Sequence, residues 1–171
     1  ARIIAEQLSI ELKQPIIVDN KAGASGMIGM DYVAKAKPDG YTLVVAANSL
    51  VDVPVVYGNA PYNWKTDFQP ISLIQSVPNV IVVRKDSPIL SLSDMVHIGK
   101  TKPNTLSVAD PGVGTNLHMT LELISDYTGS KYTSIHYKGN SPALSDLLAG
   151  NVDIQIDQLS SALTNIRAGK T

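Results

Sequence analysis

Residues 105–119 read TLSVADPGVGTNLHM, and the chain's architecture follows from them. The first five residues have the apolar, β-branched character of a short strand. The glycines at 112 and 114 then mark a turn, and Thr115 stands where a helix cap belongs. Beyond it Leu117, Leu121, Ile124 and Tyr127 recur at helical spacing and form one apolar face. The reading is strand, glycine turn, helix. A helix start of this kind points free N–H groups at the loop, and the helix dipole adds about 0.3–1 kcal/mol for an anion.

The same unit repeats downstream. A strand is predicted at 132–136, a helix at 141–149, a strand at 152–157 and a helix at 158–168. Upstream, PIIVD (15–19) reads as a buried strand and TLVVAA (42–47) as another. Ser25 is placed to cap a helix running to about Lys37, with Tyr32, Val33 and Ala36 as its apolar stripe and the PDG at 38–40 as its stop. The segment 48–70, broken by Pro54, Pro61 and Pro70, reads as irregular. ISLI (71–74) and NVIVVRK (79–85) are strand-like. Ser91 with Asp94 marks the start of a helix reaching about Lys102. Strands alternating with helices predict a parallel sheet covered on both faces. Two such series suggest two α/β lobes, 1–79 and 80–171, with a cleft between them. Ligands on such sheets bind outside the carboxyl ends of the strands.

The composition narrows the function classes. With 44% hydrophobic and 17% charged residues the chain has material for a core, and its net charge of −1 supplies no basic surface for nucleic acid. The absence of cysteine excludes disulfides, thiol nucleophiles and thiolate metal sites. Ile4, Leu8 and Leu12 are already in helical rhythm at the first residues, with no cap before them, and Gly169 ends a helix just before the last. The expectation is a chain cut at both ends, lacking a strand at each.

Candidate site residues cluster in the turns. Gly112 and Gly114 allow close backbone approach, which suits an anion site and equally an ordinary turn. Leu117 stands where a dinucleotide fingerprint needs its third glycine, and no Gly-Lys-Ser/Thr follows, so a carboxylate fits as well as a phosphate. In YKGNSPAL (137–144), Gly139 and Asn140 precede a second helix start at Ser141-Pro142. Asp157 ends a strand and reads either as a ligand contact or as a helix cap. His118, in the first turn of its helix, reads as a packing and hydrogen-bonding residue or as a ligand donor. His97, His118 and His136 lack metal-ligand spacing, so no metal and no cofactor are expected. Ser160 and Ser161 lack a nucleophile elbow. In NKAGASGMIGM (20–30), Gly26 and Gly29 are read as close helix–strand packing.

Taken in order, AGASGMIGMDYVAKAKPDGYTL, PYNWKTDFQPISL, NVIVV, ADPGVGTNLH, YKGNSPALSDLLAGNVDIQID and SSALTNIRAGK resemble the substrate-binding receptors of tripartite tricarboxylate transporters, the "Bug" solute-binding proteins. The resemblance covers essentially the whole chain. It implies a two-lobed type 2 periplasmic binding protein fold, periplasmic capture of a small carboxylate and delivery to membrane permease subunits. It implies that loop backbone groups from both lobes, with ordered waters, hold the carboxylate. On this chain the implied ligand contacts are Asn48, Ser49, Gly112, Gly114, Thr115, Asn116, His118, Gly139, Asn140, Ser141 and Asp157. It also implies that a first strand with a Pro-Phe-x-x-Gly-Gly loop precedes Ala1 and that a returning strand follows Thr171.

Three residues depart from the family's habit. Asp110 stands where Ser or Gly is frequent, and Leu50 and Val53 stand in a segment that often reads Thr-His and Asn-Pro. They make one wall more apolar and add negative charge near the carboxylate end, so the usual dicarboxylate preference does not carry over directly. The expected function is that of a binding protein without catalysis, a monomer when full-length. The alternative is an enzyme acting on a small carboxylate or phosphate ester. The 171-residue piece by itself is expected to self-associate through unpaired strand edges.

Overall fold

Ser107–Asp110 is a strand with parallel partners on both sides, as the opening stretch predicts. The computed structural model describes all 171 residues. In chain order the elements are α1 (Arg2–Leu12), a short 3₁₀ turn (Ala24–Gly26), α2 (Met27–Ala34), α3 (Ser49–Tyr57), β1 (Asn79–Val83), α4 (Leu92–Thr101), β2 (Ser107–Asp110), α5 (Asn116–Thr128), β3 (Thr133–His136), α6 (Asn140–Ala149), β4 (Ile154–Gln158) and α7 (Leu159–Arg167). The sheet order is β1-β4-β2-β3. β2 runs parallel to β3, with Asp110 opposite His136, and parallel to β4, with Ala109 opposite Gln155.

The two faces of the sheet bury two cores. Val108, Ile154 and Ile156 pack with Ile89, Met95, Leu117 and Leu121 on one side. Val82 and Ala109 pack with Ala143, Leu147, Val152 and Ala162 on the other. The alternation along β4 does this: Ile154 and Ile156 face one way, and Gln155 and Asp157 must then face the other. Two predicted caps form. Ser91 Oγ accepts the Asp94 N–H at 3.1 Å, and Thr115 Oγ1 accepts the His118 N–H at 3.3 Å. No helix is long and apolar enough to cross a membrane.

The structure corrects several expectations upstream of β1. Residues 15–19 and 42–47 form no strand, and Ile17, Leu43 and Val45 are exposed. The strand pattern is there; the lateral hydrogen-bonding partner that defines a strand is not. ISLI is likewise unpaired. The sheet is mixed rather than wholly parallel, because β1 runs antiparallel to β4. The stretch 48–70 is not irregular throughout, since α3 forms with Pro54 inside it. Val53 is fully buried beside that proline, so tertiary packing holds the helix where local propensity opposes it. Ser25 caps nothing: α2 starts after Gly26 and ends at Ala34, and its buried residue is Met30 while Tyr32 is exposed.

Leu121→Ala should destabilise the protein by about 2–5 kcal/mol, because it opens a cavity in a fully packed core. Ile17→Ala, at a residue 89% exposed, should change stability by less than about 0.5 kcal/mol. Urea denaturation of the two variants checks the contrast.

Candidate functional site

Parallel pairing brings the carboxyl ends of β2, β3 and β4 to one edge of the sheet, and the turns after them lie side by side. In the first turn Gly112 has φ +136° and Gly114 φ +78°, a region closed to most side chains. Space is closed as well. A Cβ on Gly112 would stand 2.9 Å from Ser25 Oγ, and one on Gly114 would stand 3.2 Å from Val53 Cγ2. Ser25 Oγ donates to the Val113 carbonyl at 2.7 Å, so the 24–26 turn and α3 close over this loop from the other half of the chain. Ala24 and Ser25 hold φ of +47° and +54°, a left-handed geometry that costs non-glycine residues of order 1 kcal/mol each. Gly26, at φ +96°, belongs to that turn, whereas Gly29 fits the predicted close packing, with Lys21 O at 3.3 Å from its would-be Cβ.

The loop's donors are divided between internal and free. The Gly112 N–H is donated to Asp110 Oδ1 at 2.8 Å, the Gly114 N–H to His118 Nδ1 at 3.3 Å and the Thr115 N–H to the Gly112 carbonyl at 3.2 Å. The N–H groups of Val113, Asn116 and Leu117 find no acceptor in the protein. The glycines therefore shape the loop, while their neighbours hold the available donors. At the start of α6 the N–H groups of Gly139, Asn140 and Ser141 are similarly free. Asn48 and Ser49 start α3, whose Ser49 Oγ lies 3.8 Å from the would-be Cβ of Gly26.

Asp157 sits between α6 and α7. It is 1% exposed, and its Oδ1 accepts from Asn140 Nδ2 at 2.6 Å, from the Gln158 N–H at 2.7 Å and from the Ser161 hydroxyl. It thus ties two helix starts together, more than the single cap its position suggests. Its Oδ2, with Asn140 Oδ1 and Gln155 Oε1, is buried without a partner. Such groups are costly to leave unpaired and ask for a donor from water or ligand.

Spacing along the sequence missed one grouping altogether. Asp110, His118 and His136 each bring a ligand-type atom within 4.8 Å of the others. His136 Nδ1 lies 2.9 Å from Asp110 Oδ2, and the two imidazoles meet edge to face at 5.0 Å. The signal was available only through strand register, which sets residue 110 beside residue 136. Next to His136, Tyr137 Oη donates to Asp146 Oδ2 at 2.6 Å. That bond, together with desolvation, pushes the tyrosine up to about 12, and with a second bond from Asn151 it holds the Asp146 carboxyl below its ordinary value.

The sequence and the fold both have known counterparts. The family model "Tripartite tricarboxylate transporter family receptor" matches residues 1–171. A curated relative from Pseudomonas sp. (strain P51), a UPF0065 protein in the tcbD-tcbE intergenic region, is 38% identical over 168 residues, which is 98% of this chain and 50% of the relative. The solved structure of R. palustris Rpa4515 with adipate superposes with a TM-score of 0.92 at 35% identity, over 98% of this chain and 56% of that one. That of the periplasmic binding protein BugD superposes with a TM-score of 0.90 at 34% identity, over 99% and 56%. The chain belongs to the tripartite tricarboxylate transporter receptor family and has its α/β periplasmic binding protein fold. It spans about half the length of the curated relatives it matches.

Tyr137→Phe should return the Asp146 carboxyl toward its ordinary value. A depressed carboxyl contributes stability above its unfolded value, about 3.9, and loses it as pH falls through the folded one. The stability gap between wild type and variant should therefore narrow below about pH 4. Denaturant titrations at several pH values check this.

Proposed function

We propose that the protein to which this receptor-family chain belongs captures a small carboxylate outside the cytoplasm, in the periplasm, and hands it to membrane permease subunits. The observation that carries the reading is the pair of helix starts, α5 and α6, which leave free N–H groups at one sheet edge. Each hydrogen bond to a charged group contributes roughly 1.5–3 kcal/mol, and four or five reach the ~8 kcal/mol of a micromolar complex after ordering costs. The adipate in the Rpa4515 structure supports a carboxylate as the ligand class. No nucleophile, base or catalytic metal is needed for this role, and receptors rather than enzymes make up the family's solved relatives.

In this reading Val113, Asn116, Leu117, Gly139, Asn140 and Ser141 present backbone donors. Gly112, Gly114 and Thr115 fix the loop, and His118 buttresses it through the Gly114 N–H. Asp157 Oδ2 accepts from a bound water or a ligand hydroxyl. Asn48 and Ser49 supply the facing wall, with residues 1–79 and 80–171 as the two lobes. The full-length protein is read as a monomer.

Ser141→Asp separates the ligand's needs from the fold's. Ser141 is exposed in the first turn of α6, where a negative charge favours the helix by about 0.3–1 kcal/mol. The same charge repels an incoming carboxylate. Stability should stay equal or rise while affinity for adipate falls at least about tenfold. Calorimetry and thermal unfolding of the full-length protein give both readings.

A further inference from the structure

Asp110 is fully buried, and its only ion-pair partner is His136, whose side chain is 36% exposed. Asp157 is also buried, and no lysine or arginine pairs with it. An edge built to receive an anion thus carries two buried carboxylates without a fixed cation. Beside the first of them stand two imidazoles. We propose that Asp110, His118 and His136 bind a first-row divalent transition-metal ion. Nothing in the comparisons assigns this site, and it departs from the expectation drawn from histidine spacing.

The chemistry of the donor set supports it. Two imidazoles and one carboxylate, with no thiolate, suit a borderline ion such as Zn²⁺ or Co²⁺ and leave coordination positions open. Metal–nitrogen and metal–oxygen bonds of about 2.0–2.2 Å put ligand atoms roughly 3.3 Å apart in a tetrahedral set. The three donor atoms lie within 4.8 Å of one another, and drawing them onto an ion exchanges the 3.3 Å bond from the Gly114 N–H to His118 Nδ1 for a bond to the metal. Asp110 is prearranged for the task. Its Oδ1 accepts the Gly112 N–H at 2.8 Å, and both of its oxygens face His136 Nδ1, Oδ1 at 3.1 Å and Oδ2 at 2.9 Å. The strands supply rigidity, because Asp110 and His136 are opposite residues of one parallel ladder.

The ion is a Lewis-acid charge placed one loop away from the free donors of α5. It neutralises Asp110 and leaves an open coordination position. This last clause rests on the carboxylate reading above; the metal site does not.

The test uses the full-length protein without a histidine tag, stripped with a chelator and titrated with Zn²⁺ and Co²⁺ in the absence of any carboxylate. Calorimetry should show one ion per chain, and bound Co²⁺ should give visible d–d absorption. Asp110→Asn, which keeps the acceptor for the Gly112 N–H, and His136→Gln should each weaken binding at least about tenfold. Should either variant fail to fold by circular dichroism, imidazole nitrogen NMR of the wild type decides instead. Zn²⁺ should shift His118 and His136 and leave His97, on α4, unmoved. No binding at millimolar ion, binding unchanged in both folded variants, or shifts confined to His97 would overturn the proposal. Because no carboxylate is present, a wrong ligand class cannot produce a negative result here.

Discussion

The parallel pairing of β2 with β3 and β4 is the constraint on which the site depends. It sends three chain segments out of the sheet in the same direction, so three helix starts gather at one edge. An antiparallel arrangement would alternate helix starts with helix ends and cancel their partial charges. The register matters as much as the direction. It sets Asp110 opposite His136 and places Asp157, two residues beyond the Ala109–Gln155 pairing, under the start of α6. β1, antiparallel at the sheet edge, contributes apolar side chains to both cores, and its first residue, Asn79, ties to Asn116 and Thr120 of α5.

Two buried carboxylates hold the loops in shape. Asp110 takes the first N–H of the glycine turn, and Asp157 takes the first N–H before α7 together with the Asn140 amide. Each stands in for an anion at a helix start. The consequence is a division of labour in which glycine N–H groups are consumed by the scaffold and the residues after them face outward unpaired. Charge is the unresolved side of this design. A carboxylate ligand approaching this edge meets two negative groups as well as its donors, and at about 4 Å a like charge costs roughly 1 kcal/mol even in water and more where water is excluded. A cation beside Asp110 relieves that repulsion.

The second half of the fold was legible because its elements carry their own signals. Thr115 and Ser91 cap where Ser/Thr patterns say they should, and α5 buries Leu117 and Leu121 of its predicted face. The first half was less legible. Its strand-like runs 15–19 and 42–47 are right in pattern, but pairing is a property of two segments and cannot be read from one. Val53 carried α3 past a proline through burial, which local propensity does not encode. At the candidate site, both glycine turns named from the sequence lie beside Asp157, at the carboxyl ends of the parallel strands. Within the loop from Gly112 to Asn116, the protein itself uses the N–H groups of Gly112 and Gly114 and leaves those of Val113 and Asn116 free. Sequence reasoning missed the Asp110–His118–His136 grouping, since the three are joined only by register and by the first turn of α5.

A competing anion site would look quite different. Arg84, Lys85 and Lys170 line an open depression with Asp86 and Leu148. It lies beyond the carboxyl end of β1, hence at the opposite edge of the sheet from the loops. Amide NMR of the full-length protein titrated with adipate distinguishes the two directly. The account predicts that the largest amide shifts fall on Val113, Asn116, Leu117, Asn140 and Ser141. Saturable shifts at Arg84, Lys85 and Lys170 with the loop amides unmoved would contradict it.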